Sequence, residues 1–225
     1  MVDLPPPPSP VAEVRLSPSQ RGDRIRIGGH DFEAAWLWVG SDNRRPDQLW
    51  LPLDLLISQF GFARTQSDRG EQLEWYGRKV VLSSLPQRTL EDEVAIEVAS
   101  WLDSTGVQTN RSSRSLRVSL AAPRVQQLRR GKGSTANRLV LDLSGPALVQ
   151  RLGNDLVLGV STTPTQAGQV RGMGLRVQRQ RSQLALPGQG QALATLTLAD
   201  PWRIVLDGVP AGGDANRSQG IDRLA

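Results

Sequence analysis

Two short segments of the sequence place acidic and basic side chains in a matched pattern. Arg138–Asp142 reads Arg-Leu-Val-Leu-Asp, and Arg203–Asp207 repeats it as Arg-Ile-Val-Leu-Asp. Two carboxylates placed across a bond are what a glycoside hydrolase requires, so Asp142 and Asp207 are the first candidates for chemistry. Each segment is also an apolar run with charged ends, which is typical of a strand buried through its middle.

These four charged residues allow two interpretations. In the first, each aspartate ends a strand and forms an ion pair with a nearby arginine or caps a turn, as structural ion pairs often do. In the second, a symmetric surface site binds a ligand through Arg138, Asp142, Arg203 and Asp207. Two copies of one strand indicate a sheet with internal symmetry, and this favours the first interpretation over a catalytic motif.

Other residue types that carry catalysis or hold cofactors are scarce. The chain has one histidine, His30, and no cysteine, which excludes a disulfide framework and a thiolate metal site. No HExxH or GxSxG spacing occurs, and His30 follows Gly28-Gly29 as an expected exposed turn residue. Gly131–Ser134 lacks the upstream glycine and the following helix of a phosphate-binding loop. We therefore expect no metal, no other cofactor and no enzymatic activity from these residues.

Tryptophan is unusually frequent among the aromatic residues, with six tryptophans beside three phenylalanines and one tyrosine. Trp36 and Trp38 are two positions apart, so they share one face of a strand. With Trp50 and Trp75 they could form a flat platform on which sugar rings stack, and the alternative is a role as large core residues. The core role is favoured, with Trp38 and Trp50 as the expected ligand-binding exceptions.

Positive charge is concentrated in the second half of the chain. Residues 123–225 include 13 basic and six acidic residues, whereas residues 1–122 include 14 and 16. The expected positive surface consists of Arg129, Arg130 and Lys132 and of the later series Arg171, Arg176, Arg179 and Arg181. Guanidinium groups bind carboxylate and phosphate well, so this surface is either a solvated face or a site for an anionic partner. Nucleic acid is not expected, because residues 123–200 contain no aromatic residue to stack on bases.

Hydrophobic patterning predicts a small α+β region in residues 22–122. Its expected elements are two hairpin strands (Arg24–Ile27 and His30–Val39), two helices (Leu53–Phe60 and Leu90–Asp103) and a later strand (Ser115–Leu120). Gly61 and Gly106 each follow a helix and are expected to end it. The region is interpreted as two related helix-turn-strand units.

From Arg124 onward the helical period disappears, and short strands at close intervals predict an antiparallel β-sandwich or barrel. The candidate strands are 125–128, 139–143, 147–152, 156–160, 175–180, 184–186, 192–198 and 204–206. The predicted fold class is therefore β-rich α+β. Its divisions are a proline-rich linker (1–21), an α+β domain (22–122), a β-sandwich (123–209) and a disordered tail (210–225). No apolar run is long enough to span a membrane, and the given sequence shows no signal peptide.

Some of these residues resemble known families. Asn137–Leu143 and Trp202–Asp207 resemble an AMIN-type domain, the β-sandwich found beside periplasmic amidases and secretin-type proteins. The stretch from Leu51 through Phe60-Gly61-Phe62 to Trp75 is similar to a stalk-type domain related to the N-terminal region of copper amine oxidases. The whole order over residues 20–210 resembles the non-catalytic N-terminal region of cyanobacterial phosphodiester glycosidase family proteins, most strongly at Gly22, Ile25, Gly29, Phe32 and Ala35-Trp36.

The resemblance implies a stalk-like domain followed by an AMIN-like sandwich, in a periplasmic or secreted protein. Three alternative functions are considered, the first of them favoured. The first is a non-catalytic envelope module that binds or localises to peptidoglycan or an acidic polysaccharide. The second is the accessory half of a phosphodiester glycosidase, without its catalytic domain. The third is a scaffold that binds an envelope protein through exposed sheet edges.

Overall fold

The structure is a computed structural model that describes residues 18–41, 46–132, 137–190 and 193–209, and it is a β-rich α+β fold. These described residues form three α-helices: α1 (Leu53–Phe60), α2 (Ala99–Ser104) and α3 (Pro164–Gly172). Its strands, in chain order, are β1 (Ser19–Ile27), β2 (His30–Val39), β3 (Gln48–Pro52), β4 (Ala63–Ser67), β5 (Gly70–Trp75), β6 (Arg78–Val81), β7 (Gln87–Leu90), β8 (Glu93–Glu97), β9 (Gln108–Ser112), β10 (Ser115–Ser119), β11 (Val125–Arg130), β12 (Arg138–Leu143), β13 (Val149–Leu152), β14 (Asp155–Leu158), β15 (Arg176–Gln178), β16 (Gln183–Leu186), β17 (Ala194–Leu198) and β18 (Arg203–Asp207).

A seven-stranded sheet in the order β7-β8-β3-β2-β1-β10-β9 organises the first half. All neighbouring strands are antiparallel except β1 and β10, which run parallel. Helices α1 and α2 and the small sheet β4-β5-β6 pack on one face, where Trp36, Phe60 and Trp101 are buried together. The opposite face carries the alternate residues of the same strands, including the exposed Arg24 and Arg26.

The predicted hairpin and first helix are confirmed. β1 and β2 pair across the turn at Gly28-Gly29, whose φ angles of 58° and 90° lie in the left-handed region that glycine tolerates. Helix α1 ends where Gly61 adopts φ 84° and donates its N–H to Leu56. β1 begins at Ser19, inside the predicted linker, while residues 1–17 and the predicted tail at 210–225 lie outside the described residues.

The predicted helix over Leu90–Asp103 is wrong in its first part. β7 and β8 form a hairpin there, and only the short α2 is helical. Glu91 and Asp92 take positive φ angles of 47° and 71°, so they form the hairpin turn instead of a helix N-terminus. Val94, Ile96 and Val98 are spaced by two, which is a strand period, and this signal was misread as part of a helix.

The second half is an antiparallel β-sandwich, and all eight predicted strands are present. One sheet has the order β11-β12-β18-β17 and the other β13-β14-β16-β15. Their facing sides share one core, in which Leu141 and Leu206 from the first sheet pack with Leu156 and Leu184 from the second. Alternating inward leucine and outward polar residues produce this arrangement.

Helix α3 was not predicted from the sequence. Thr163 caps it by accepting the backbone N–H of Gln166, and the Gln166 side chain in turn accepts the N–H of Thr163. Thr-Pro-Thr-Gln is a capping-box sequence with proline at the first helical position, so a local signal was available. No helix among the described residues is both long and apolar enough to cross a membrane.

The two halves meet through buried contacts. The Tyr76 hydroxyl accepts the N–H of Ala147 and donates to its carbonyl oxygen, and the backbone N–H of Tyr76 donates to Thr197 at 2.9 Å. The Gln150 amide donates to the Ile27 carbonyl at 3.2 Å. Leu148, from the second half, packs within the core of the first half. The boundary near residue 122 is therefore crossed by both polar and apolar contacts.

Candidate functional site

The two repeated segments lie side by side in one sheet. β12 carries the first copy and β18 the second, and the two strands pair antiparallel. Arg138 lies opposite Asp207, and Asp142 lies opposite Arg203, so a local two-fold axis passes between the strands. The relation follows from the repeat, because an in-register antiparallel pair of like strands places the first residue of each opposite the last of the other.

Each opposite pair forms an ion pair. Arg138 donates through Nε and Nη2 to the two carboxylate oxygens of Asp207 at 2.6 and 3.0 Å. Arg203 donates to Oδ1 of Asp142 at 2.5 Å, and Arg129 on β11 donates to Oδ2 at 2.7 Å. Both aspartates thus accept from arginines on neighbouring strands, and the ion-pair interpretation of the repeat is confirmed.

Asp142 is the more enclosed carboxylate, with its side chain 12% exposed. Burial acts to raise the pKa of Asp142, but hydrogen bonds from Arg203 and Arg129 outweigh burial and hold that pKa below its usual value. A carboxyl group that two guanidinium groups keep ionised is a poor proton donor at neutral pH. The geometry therefore gives Asp142 a structural role between three strands.

The predicted cluster of Arg129, Arg130 and Lys132 does not present one continuous patch. Successive side chains of β11 point to opposite faces of the sheet, so Arg129 faces outward to Asp142, while Arg130 turns the other way. There Arg130 donates to the carbonyl oxygens of Val209 and Met173 at 3.3 and 3.2 Å. Lys132 is exposed beyond the end of the strand.

Trp36 lies in the core of the first half, as the core interpretation predicts, whereas Trp50 is buried outside that core cluster. Trp50, predicted to contact a ligand, is 4% exposed, and the Arg88 guanidinium covers its ring at 3.9 Å. Trp38 is half-buried, with Arg111 stacked 3.7 Å from its ring centre. Trp36 shares a face with Trp38 as predicted, but that face is the one packed on the core. Sugar stacking on these rings would require the covering arginines to move.

His30 also differs from expectation, because it is half-buried at the turn between β1 and β2. Its Nε2 lies 3.1 Å from Nη2 of Arg179, an arginine of the second half. Burial lowers the pKa of His30, the positive charges of Arg179 and Arg26 lower it further, and only Asp31 opposes them. The imidazole therefore favours its neutral form, with Nε2 as the acceptor of the arginine hydrogen bond.

Several exposed arginines of the second half lack an acidic partner. Arg171 lies in the last turn of α3, Arg176 on β15, and Arg181 in the connection from β15 to β16. None of them forms an ion pair with any described residue. β15 is an edge strand and α3 packs against it. The positive surface consequently lies along this edge, which we call the arginine edge, and not at the repeated strands.

The open face of the seven-stranded sheet carries a groove that the sequence interpretation missed. Three adjoining cavities of about 610, 560 and 770 Å³ follow one another and share lining residues. Residues 91–93 make the middle cavity acidic. At one end of the groove, Arg24, Arg26 and Arg117 lie together with the acidic Asp31 and Glu33. Its length and open shape suit an extended polymer better than an enclosed small molecule.

The sequence alone predicts which sheet face some residues of this groove occupy. Arg24 and Arg26 alternate with buried isoleucines, so their side chains must share the face opposite the core. The parallel pairing of β1 with β10 brings Arg117 beside Arg26. No local pattern specifies that pairing, because the two strands are far apart along the chain.

Comparison with known proteins yields a fold likeness. No family model matches this sequence, and no curated protein matches it. A solved structure, described as that of a hypothetical protein from Synechocystis, is similar with a TM-score of 0.62 and 22% sequence identity. The match covers 84% of this chain and 34% of that chain, so this chain corresponds to about a third of the longer protein. At this level of identity the likeness shows the fold alone.

Proposed function

We propose that this chain is a non-catalytic module of the cell envelope, periplasmic or secreted, that binds peptidoglycan or another anionic polysaccharide. The observation that supports this most directly is the arginine edge, where Arg171, Arg176 and Arg181 are exposed without an acidic partner among the described residues. The sequence resemblance to the non-catalytic region of phosphodiester glycosidase proteins points to the same compartment.

The chemistry of the arginine edge fits a repeating anionic ligand. Guanidinium groups bind carboxylate and phosphate in a two-pronged geometry and remain charged at any physiological pH. Among the described residues the outer edge of β15 has no strand partner, so its backbone polar groups can bond polar groups of a ligand. Each exposed contact is weak and screened by salt, and affinity arises from several contacts along a polymer.

A second candidate is the accessory half of a phosphodiester glycosidase, whose catalytic domain is encoded elsewhere or follows in a longer chain. One observation favours it: the similar solved structure belongs to a chain of which the matched region is only 34%. This architecture thus occurs as part of a larger protein. In that case the arginine edge would hold the substrate polymer for a separate active site.

Co-sedimentation with purified peptidoglycan sacculi, at low and raised salt, tests the first function. We expect retention at low salt that falls as salt rises, because exposed ion contacts are screened within about 10 Å at 0.1 M salt. The triple variant Arg171→Gln, Arg176→Gln and Arg181→Gln should lose most of this retention. All three side chains are exposed, so the variant should unfold at the same temperature as the native chain.

Matched controls separate the arginine edge from net charge. Arg69 is an exposed arginine in the β4–β5 turn of the first half, so Arg69→Gln removes the same charge as the single variant Arg176→Gln. The double variant Arg138→Gln and Asp207→Asn removes an ion pair without changing net charge. Equal loss in the Arg69 and Arg176 variants would assign retention to overall charge, and no retention of the native chain at either salt would exclude sacculi as the ligand.

A further inference from the structure

A cleft of about 320 Å³ lies where the β1–β2 turn of the first half meets the sandwich. Among the described residues its lining contains three arginines and no acidic residue. The arginines come from three separate segments: Arg26 on β1, Arg117 on β10 and Arg179 after β15. Arg26 and Arg117 also line one end of the groove on the seven-stranded sheet. The cleft is therefore the point where the groove reaches the second half.

Two of these arginines are held side by side by the sheet itself. Arg26 and Arg117 are register partners on parallel strands, so their side chains leave the same face of neighbouring strands. Like charges in such positions destabilise a sheet unless something lies between them. Asp31 offers little compensation, since its Oδ1 lies 3.7 Å from Nε of Arg26 and its side chain is 74% exposed. The Arg117 side chain forms no ion pair or hydrogen bond with any described residue.

The third arginine is positioned by strained backbone. Arg179 and the two residues after it have φ angles of 45°, 53° and 71°, three consecutive non-glycine residues in the left-handed region. This turn carries Arg179 across the boundary, where Nη1 donates to the carbonyl oxygen of Gly28 at 3.0 Å. A methyl group on Gly29 would lie 2.4 Å from that nitrogen, so the guanidinium would have to shift, and the φ of 90° at Gly29 itself favours glycine. Strain of this kind is maintained where a side chain must be held in a defined place.

We propose that the cleft is an oxyanion-binding site, in which the guanidinium groups of Arg26, Arg117 and Arg179 bind a single carboxylate, phosphate or sulfate group. The anion relieves the repulsion between the two sheet arginines and bridges the two halves of the chain. Guanidinium groups are the usual protein partners of such groups. The site goes beyond the arginine edge: its residues are different, and it exists whether the oxyanion is a free ion or a substituent of a polymer.

His30 provides a direct spectroscopic reporter, because it is the one histidine of the chain. It contacts Arg179, and its pKa is lowered by burial and by the charges of Arg179 and Arg26, with Asp31 acting in the opposite direction. An oxyanion bound between these arginines offsets their charge at the imidazole. Binding should therefore raise the pKa of His30, in a saturable manner.

The experiment is an NMR titration of the His30 imidazole with pH, in sodium sulfate and in sodium chloride of equal ionic strength. Sulfate keeps its charge over the whole range, unlike phosphate. We expect sulfate to raise the pKa of His30 above its value in chloride, with saturation. Arg117→Gln should weaken sulfate binding about tenfold, as expected for a charged hydrogen-bond partner, while Arg69→Gln should leave it unchanged.

The same titration with a sugar polymer identifies the source of the oxyanion. An oligogalacturonate presents carboxylates on a sugar chain, and a neutral glucose oligomer of equal length is its control. Tighter binding of oligogalacturonate than sulfate assigns the site to a polymer substituent, and the reverse order assigns it to a free ion. The proposal is overturned if sulfate and oligogalacturonate shift His30 no more than chloride does, or if Arg117→Gln binds as well as the native chain. The native chain and the Arg117→Gln variant both keep the arginine-edge residues. A negative result in this titration therefore leaves the sacculi experiment unaffected.

Discussion

Replacing Tyr76 by phenylalanine tests how strongly polar contacts hold the two halves together. The Tyr76 hydroxyl accepts the N–H of Ala147 at 2.7 Å and donates to the carbonyl oxygen of Ala147 at 2.8 Å. Tyr76 is only 5% exposed, so water has little access to either backbone group. Burial raises the pKa of Tyr76, which keeps the hydroxyl protonated and able to donate.

The expected loss follows from these two backbone groups. The phenylalanine ring fills the same space, so the main effect is to leave one buried N–H and one buried carbonyl without their partner. Each unsatisfied buried group costs about 1–3 kcal/mol, so two of them should lower the free energy of unfolding by about 2–6 kcal/mol. For a chain of this size such a loss lowers the midpoint of thermal unfolding by roughly 4–24 °C.

Urea unfolding followed by tryptophan fluorescence measures this change, because tryptophans lie in both halves. Ser84→Ala is the matched control. It also removes a hydroxyl that bonds a backbone carbonyl, Val81 at 2.7 Å, but it does so in an exposed position. We expect that control to lose less than about 1 kcal/mol. If Tyr76→Phe is no more destabilising than Ser84→Ala, the hydroxyl does not hold the halves together and the reasoning is refuted.

Three further perturbations test other parts of the structure. Asp142→Asn should lower the free energy of unfolding by about 1–3 kcal/mol at neutral pH. The native chain should lose the same stabilisation as acid protonates Asp142, because the pKa of Asp142 is depressed in the folded chain. Urea unfolding of both chains between pH 7 and pH 3 measures this, and a stability difference that stays constant with pH would contradict it. The native chain should become less stable as pH falls below about 6.5, because the unfolded chain protonates His30 more readily than the folded chain does. His30→Gln should not show this loss, and identical pH profiles of the two chains in thermal unfolding would contradict the prediction. Gly61→Ala should destabilise the chain by about 2–4 kcal/mol, because the new methyl carbon would lie 2.7 Å from Val149 Cβ and residue 61 has a φ of 84°. Urea unfolding of the variant measures the change, and a loss below about 1 kcal/mol would show that the contact relaxes.

The sequence was sufficient wherever the signal is local. The β1–β2 hairpin follows from alternation around Gly28-Gly29, helix α1 from an apolar run ended by Gly61, and the sandwich from eight short strands separated by turn residues. The errors were also local. The period of two from Val94 to Val98 was taken for a helix, and the capping box at Thr163 was overlooked.

The chemistry of the surface depended on tertiary structure. The sequence shows a repeated Arg-to-Asp strand, but only the antiparallel pairing of β12 with β18 makes each copy neutralise the other. It shows an excess of arginine in the second half, but only the fold distinguishes paired Arg129 from Arg176, which has no acidic partner among the described residues.

The oxyanion cleft is the clearest case of this division. Alternation along β1 and β10 determines which face Arg26 and Arg117 occupy, because side-chain direction in a strand has a period of two. Their proximity to each other and to Arg179 arises from a parallel strand pairing and from the contact between the two halves. Such long-range contacts depend on how whole surfaces pack, and no short stretch of sequence encodes them.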